Sequence, residues 1–193
     1  MRTASHPGQC RCEWKTLLLA CCLLAPVAGR CQGATATAQL TITMSVQSSI
    51  SLIFQNNPAV GSNGFCPLSN SGTNNVGLDL GTASFTGGDN LSCVAFTHLT
   101  GAFYQVSSAF DVVVTKANTS SPNYRLAAEI STAPPANVFW LVNNTVLTNT
   151  AFTQLDASDA YGTRVTKTLQ VQVKNNVPAQ LLQETVTFLA TAN

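Results

Sequence analysis

The chain has 193 residues, of which 9% are charged, and its formal net charge is +1. The charged side chains form no basic patch, which argues against nucleic acid and anionic membrane surfaces as partners. Few residues are strong helix formers, and the length allows one domain with its own hydrophobic core.

The first 33 residues have the features of a secretory signal peptide and leader. Arg2, Arg11 and Lys15 are basic, and residues 17–28 form an apolar stretch too short to span a bilayer. A lipoprotein signal ending at Cys21 is the alternative, but it would leave almost no apolar core before cleavage. No later stretch is apolar for long enough to predict stable membrane insertion. We predict a leader over residues 1–33 and one domain over residues 34–193, secreted, periplasmic or at the cell surface.

The first predicted element is a long β-strand over residues 40–54. Its even positions are apolar except for Ser48, and its odd positions are polar except for Ile53. This period of two predicts a strand with one buried face. Fifteen residues is long for a strand, so it either bends near Ser48 or has a further role.

We predict that the front of this strand is an assembly strand, whose apolar face completes a sheet edge. The edge belongs either to its own domain or to a neighbouring subunit, and the sequence leaves both open. The plain alternative is the first strand of the domain. The predicted assembly face is formed by Leu40, Ile42, Met44 and Val46.

Further strands follow in chain order, with turn-forming residues between them. Residues 156–159 favour a polar loop. The pattern predicts an all-β protein, a two-sheet immunoglobulin-like β-sandwich, with a jelly roll or small barrel as the alternative. The predicted strands cover residues 76–85, 91–96, 103–116, 124–130, 138–142, 151–155, 165–174 and 183–191. The predicted core consists of Leu78, Leu80, Val94, Phe96, Phe110, Val112, Val114, Trp140, Leu169, Val171, Val173, Val186 and Phe188.

Two of the seven cysteines, Cys66 and Cys93, belong to the predicted domain regardless of where the leader is cleaved. In an oxidising compartment, two cysteines in a small exported domain most simply form a disulfide. A zinc site is disfavoured, because neither cysteine lies in a CxxC pair or has a histidine nearby. We predict a disulfide and no metal or other cofactor.

Candidate catalytic residues are few. His98 is the only histidine after the leader, and no GxSxG motif accompanies it. Asp156 and Asp159 suggest a carboxylate pair or a calcium site, but their spacing favours a polar turn. Trp140 suggests a sugar-stacking surface, but its apolar neighbours favour the core. We expect that the protein is not an enzyme.

Several segments resemble the spore coat protein U and fimbrial-subunit families, which are exported, pilin-like β-sandwiches of bacteria. Residues 76–82, VGLDLGT, are similar to the early Leu-Asp-Phe-Gly-Thr segment of that family. Residues 91–93 are placed like its strand with the second cysteine, and residues 161–193 resemble its closing pair of strands. The resemblance implies a subunit that lacks its last immunoglobulin-type strand and is completed by the N-terminal segment of a neighbour.

Composition, pattern and resemblance together predict an exported structural or adhesive surface subunit. Its expected partners are other copies of itself or related subunits, joined by strand addition, and a periplasmic chaperone. The alternative is a monomeric secreted binding module for a carbohydrate or protein ligand. A cleft of exposed aromatic side chains would favour that alternative.

Overall fold

The computed structural model describes residues 41, 43–57, 59, 64–86, 91 and 93–193. The predicted leader, and Leu40 and Ile42 of the predicted assembly face, lie outside the described residues. All of the strands lie in one compact unit, Met44–Asn193.

This unit contains eleven strands and no α-helix among its described residues. The strands are β1 (Ser49–Gln55), β2 (Leu68–Ser69), β3 (Gly77–Leu78), β4 (Ala95–Leu99), β5 (Phe103–Ala117), β6 (Asn123–Ile130), β7 (Val138–Val142), β8 (Thr145–Val146), β9 (Thr153–Ala160), β10 (Arg164–Lys174) and β11 (Val186–Ala192). No helix in the described part of the chain is long and apolar enough to span a membrane.

Antiparallel pairing organises the strands into two main sheets. The larger sheet has the order β1-β5-β10-β7-β8, with β4 also paired to β5, and the smaller has the order β11-β6-β9. A short ladder joins β2 to β3. The two sheets pack against each other, so the predicted all-β sandwich is confirmed. It forms because alternating side chains give each sheet one apolar face that must be covered.

Strand β5 organises the larger sheet. One side pairs with β10, while the other pairs first with β4 and then with β1. Between these two partners, the Ala109 N–H donates to the Gly64 carbonyl at 2.7 Å, and the Gly64 N–H donates to the Cys93 carbonyl at 2.8 Å. Gly64 has a φ of 118°, a conformation that favours glycine. The segment around Gly64 therefore fills the gap in the ladder.

The predicted disulfide between Cys66 and Cys93 is confirmed, with 4.8 Å between the two Cα atoms. The Cys66 sulfur lies in the core, and the Cys66 N–H donates to the Ser108 hydroxyl at 2.8 Å. The bridge therefore ties the long loop after β1 to the segment that leads into β4.

The predicted core is largely correct. Seven of its thirteen residues are buried, and the other six are partly buried side chains that pack against the two core clusters. The buried seven are Val94, Phe110, Val112, Val114, Trp140, Val171 and Val173. The predicted core included no residue of β6, whose inward-facing side chains are also fully buried. These are Tyr124, Leu126, Ala128 and Ile130.

Several predicted strand boundaries are wrong. The strand predicted over residues 91–96 is instead Ala95–Leu99, and the last strand begins at Val186 and not at residue 183. The first strand begins at Ser49, whereas residues 43–48 are exposed and belong to no ladder of the described residues. In residues 76–85, only Gly77–Leu78 forms a strand. Residues 156–159, expected as a loop, lie within β9. Alternation marks residues that can form a strand, but only a neighbouring backbone edge makes them one.

Candidate assembly surface and buried charged cluster

The described part of the predicted assembly face is exposed. The Met44 side chain has 80% of its surface accessible and Val46 has 62%. Both belong to the segment before β1 that joins no sheet among the described residues. Large apolar side chains in this pattern are typical of surfaces that become covered by a partner.

Two edge strands of the sandwich have open sides. β1 is bonded to β5 along one side, and its other side carries only the isolated bridge between Phe54 and Thr73 among the described residues. β11 is bonded to β6 and stands at the end of the smaller sheet. Open strand edges present backbone N–H and C=O groups that can bind another strand.

These two edges border the same side of the sandwich. The rings of Phe54 on β1 and Phe188 on β11 are 5.2 Å apart at their centroids. Farther along, a shallow cavity of about 140 Å³ opens between the strand ends, next to Ile50 and Ala192. We call this region the β1/β11 groove and define it by the inward-facing residues of the two strands, which are only partly buried. They are Ile50, Leu52, Phe188 and Ala190.

A second feature lies inside the sandwich and involves Lys167 of β10. Its side chain is only 2% exposed. Lys167 is directly opposite Phe110 in the β5–β10 ladder, so both side chains lie on the face that points toward the smaller sheet. Lysine is almost never fully buried without a partner of opposite charge.

The partner comes from β9. Asp156 pairs with Leu126 and Asp159 pairs with Tyr124, across irregularities in the β6–β9 register. Leu126 and Tyr124 both face the core, so the two aspartates, three residues apart, share that face. The prediction of a polar turn at these residues is therefore wrong, and the carboxylate pair considered as its alternative is present.

The cluster contains an ion pair and two side chains with raised pKa values. The Lys167 Nζ contacts Oδ2 of Asp156, which links the larger sheet to the smaller one. Burial raises the pKa of the Asp159 carboxyl, and the charge of Asp156 raises it further, while Lys167 lowers it. Burial raises the pKa of Tyr124 to about 12, with smaller contributions from Asp159 and Asp156. Asp159 therefore favours its protonated, neutral form more than an exposed aspartate does.

The surroundings of the cluster are aromatic and poor in hydrogen bonds. The hydroxyls of Tyr124 and Tyr161 are buried and have no hydrogen-bond partner among the described residues, and the same holds for Oδ2 of Asp159. The two tyrosine rings lie 5.3 Å apart. No group of three or more His, Cys, Asp or Glu side chains that could hold a metal ion occurs in the described ranges.

Lys167 and Tyr124 are the residues that the sequence analysis missed. The sequence pattern does indicate that Lys167 is buried. It occupies an odd-numbered position of β10, as do Leu169, Val171 and Val173 on the apolar face. A lysine in such a position predicts a buried partner. The position of Asp156 depends on the irregular register of β9, which has no comparable signal in the sequence.

The other candidate residues are placed separately. His98 lies on β4, exposed, and its ring contacts those of Phe85 and Phe96 at centroid distances of 5.3 and 5.1 Å. Trp140 lies on β7 and is 8% exposed, as its apolar neighbours predicted, so it provides no stacking surface. Nothing in the described residues brings His98 together with Asp156 and Asp159.

No family model matches the chain, and no curated protein matches it. Among solved structures, one similar chain comes from a structure described as a chaperone-tip adhesin complex vital for synergistic activation of CFA/I fimbriae biogenesis. The identity is 13% over 52% of this chain, with a TM-score of 0.27. The match spans 38% of the length of that chain. A likeness at this level carries no argument about fold or function.

Proposed function

We propose that this protein is an exported structural or adhesive subunit that assembles by strand addition. The N-terminal segment of one copy, residues 40–46, pairs with an open edge of the β1/β11 groove of a second copy. The observation that supports this most directly is the exposure of Met44 and Val46 beside a sandwich whose two facing edge strands are open.

The chemistry of the two surfaces is complementary. The segment offers apolar side chains at alternate positions, and the groove offers partly buried apolar side chains on β1 and β11. Burying apolar surface stabilises an interface by about 25 cal/mol per Å² before the costs of association. Backbone hydrogen bonds to an open edge add affinity. Residues 40–46 also match the seven-residue length of β1 and of β11.

Pairing in trans is favoured over folding back onto β1. A return along β1 from Val46 would need a two-residue hairpin turn at Gln47 and Ser48. Neither residue has the positive φ that such a turn requires. Gln47 and Ser48 therefore do not form the turn of a tight hairpin with β1.

A structural role also fits the rest of the molecule. We propose that the protein is not an enzyme, because the candidate catalytic residues are dispersed or engaged inside the sandwich. The disulfide is typical of an oxidising compartment, which supports secretion to the periplasm or cell surface. An open groove exposes apolar surface before assembly, so a periplasmic chaperone that covers it is the expected transient partner.

The test compares charge substitutions on the two faces of the assembly segment. Met44→Asp and Ile42→Asp place a carboxylate on the apolar face, whereas Ser45→Asp places the same charge on the polar face and serves as the matched control. Sizing by light scattering should show oligomers for the unmodified protein and for Ser45→Asp. The other two variants should be monomeric, with an unchanged circular dichroism spectrum.

Two results would contradict the proposal. Apolar-face variants that assemble as well as the Ser45→Asp control would show that this face is not part of the interface. Variants that unfold as monomers would show that the segment is buried within its own domain, because an unpaired buried carboxylate costs several kcal/mol.

A further inference from the structure

We propose that Lys167 and Asp156 form an intramolecular amide bond that joins the two sheets covalently, with Asp159 as the acid–base group of the reaction. This inference is independent of the proposed assembly.

The two reacting groups are held together by the fold. Lys167 projects inward from β10 of the larger sheet, and Asp156 projects inward from β9 of the smaller one, so that Nζ contacts Oδ2. Oδ2 accepts no hydrogen bond from any described residue, so Nζ approaches the carboxyl group outside hydrogen-bond geometry. Fixing a nucleophile against its target replaces an encounter in solution and lowers the barrier by several kcal/mol.

The reaction requires a neutral amine and a neutral carboxylic acid. An ion pair that is removed from water loses its hydration, whereas a neutral amine and a neutral carboxylic acid lose much less. Lys167 is 2% exposed, and the core residues Phe110 and Leu126 lie opposite the two reacting residues in their ladders. Transfer of one proton from Nζ to Asp156 converts the pair to the neutral forms without any outside reagent.

Asp159 is placed to assist. Its carboxyl lies beside that of Asp156, and its pKa is raised by burial first and by the charge of Asp156 second. A protonated Asp159 can donate a hydrogen bond to the Asp156 carbonyl and increase the electrophilic character of its carbon. Groups of this kind typically accelerate proton-coupled steps by about 100-fold or more.

The reaction balances without an oxidant or a cofactor. Nζ of neutral Lys167 attacks Cγ of the protonated Asp156 carboxyl and forms a C–N bond. Asp159 takes a proton from the nitrogen and gives one to the departing oxygen, so it ends in its starting form. The C–O bond breaks and one water molecule leaves. The product is a neutral secondary amide, which also removes two charges from the interior.

The amide bond would resist separation of the two sheets. The Cys66–Cys93 disulfide holds the loops that lead to β2 and β4, whereas the amide would link β9 to β10 across the sandwich. Separation of the two sheets would then require breaking a covalent bond.

The first test is the intact mass of the purified protein after denaturation and reduction. We expect a mass lower than that calculated from its observed N-terminus by one water molecule. Lys167→Arg keeps the positive charge but should show the full calculated mass. Asp156→Asn should form the same amide by release of ammonia, so its final mass should equal that of the cross-linked unmodified protein.

Peptide mapping locates the bond and does not depend on any variant folding. Trypsin should fail to cleave after Lys167, and residues 126–164 should appear joined to residues 165–174. Unmodified protein with its full mass, complete cleavage after Lys167 and a free Asp156 peptide would overturn the proposal.

The role of Asp159 has its own readout. Asp159→Asn should slow the appearance of the cross-linked mass after refolding by about 100-fold or more. Circular dichroism checks that this variant folds. A folded Asp159→Asn protein that cross-links at the unmodified rate would overturn the acid–base assignment.

Discussion

The ring of Phe54 on β1 meets the ring of Phe188 on β11 edge-on, with centroids 5.2 Å apart, although the two strands belong to different sheets. Phe110 of β5 completes a triangle, 5.9 Å from each of the other two rings. Edge-to-face aromatic pairs add about 0.5–1.5 kcal/mol beyond the apolar area that they bury. This triangle therefore connects the two open edges that border the β1/β11 groove.

Phe188 should be important for stability even though it lies on an edge strand. Phe188→Ala should lower the free energy of unfolding by about 2–3 kcal/mol, less than for a fully buried ring because Phe188 is only partly buried. Leu189→Ala is the matched control, since the Leu189 side chain points to the opposite face of β11 and is 44% exposed. This variant should change stability by about 0.5 kcal/mol or less. Urea unfolding of the two variants measures both losses of stability, and equal losses would contradict the role of the triangle.

The disulfide should supply a large part of the stability. It closes a loop with a sequence separation of 27, for which chain entropy predicts about 3–4 kcal/mol. Urea unfolding with and without reductant should show this loss for the unmodified protein. The double variant Cys66→Ala with Cys93→Ala should have the lower stability in both conditions. If reduction, checked by thiol titration, left the transition unchanged, the prediction would fail.

The buried carboxylate of Asp111 depends on Asn57. The Asn57 amide donates to Asp111 Oδ1 at 2.7 Å and the Thr166 hydroxyl donates to the same oxygen at 2.8 Å, with Asp111 only 4% exposed. Asn57→Ala should destabilise the fold by about 2 kcal/mol, because the charged acceptor loses a donor. Asn75→Ala, at an exposed position, should have little effect. Thermal or urea unfolding compares the two variants. Equal unfolding midpoints for Asn57→Ala and Asn75→Ala would show that Asn57 is dispensable.

Glu184 should contribute stability that depends on pH. Its Oε1 accepts from the Ser131 N–H at 3.0 Å and the Ser131 hydroxyl at 2.6 Å, and both carboxylate oxygens accept from Thr132. Burial by itself raises the pKa of Glu184, but the hydrogen bonds from Ser131, Thr132 and Thr185 outweigh it, so the pKa is lowered. The ionised carboxylate of Glu184 is therefore stabilised more in the folded state than in the unfolded state.

The sign follows from this lowered pKa. The contribution of Glu184 is present above the unfolded-state pKa, near 4.3, and is lost as the pH falls through the folded-state value. Glu184→Gln should therefore lower stability by about 1 kcal/mol near pH 7, a value reduced for partial exposure, and by almost nothing near pH 3. Urea unfolding at both pH values tests this, with Glu129→Gln as a control for charge loss. A difference that persists at low pH would contradict it.

The fold class and most of the sandwich follow from the local pattern of residues. The two-residue alternation of residues 103–116, 124–130 and 165–174 corresponds closely to β5, β6 and β10. This works because the backbone of a strand sends successive side chains to opposite faces, so a local pattern reports which face is buried. The disulfide was also predictable, since the two cysteines of the predicted domain offer one pairing.

The ends of the strands and the pairing of opposite charges depend instead on contacts between distant parts of the chain. Residues 43–48 continue the alternation of β1, yet they form no strand, because β5 ends at Ala117, opposite Ser49, and offers them no backbone to pair with. Lys167 and Asp156 are opposite charges in two different sheets, and the irregular register of β9 turns Asp156 inward. The alternation of side chains along a strand is set by the local chain. Hydrogen bonds between strands and contacts between sheets depend on residues that are distant in the sequence.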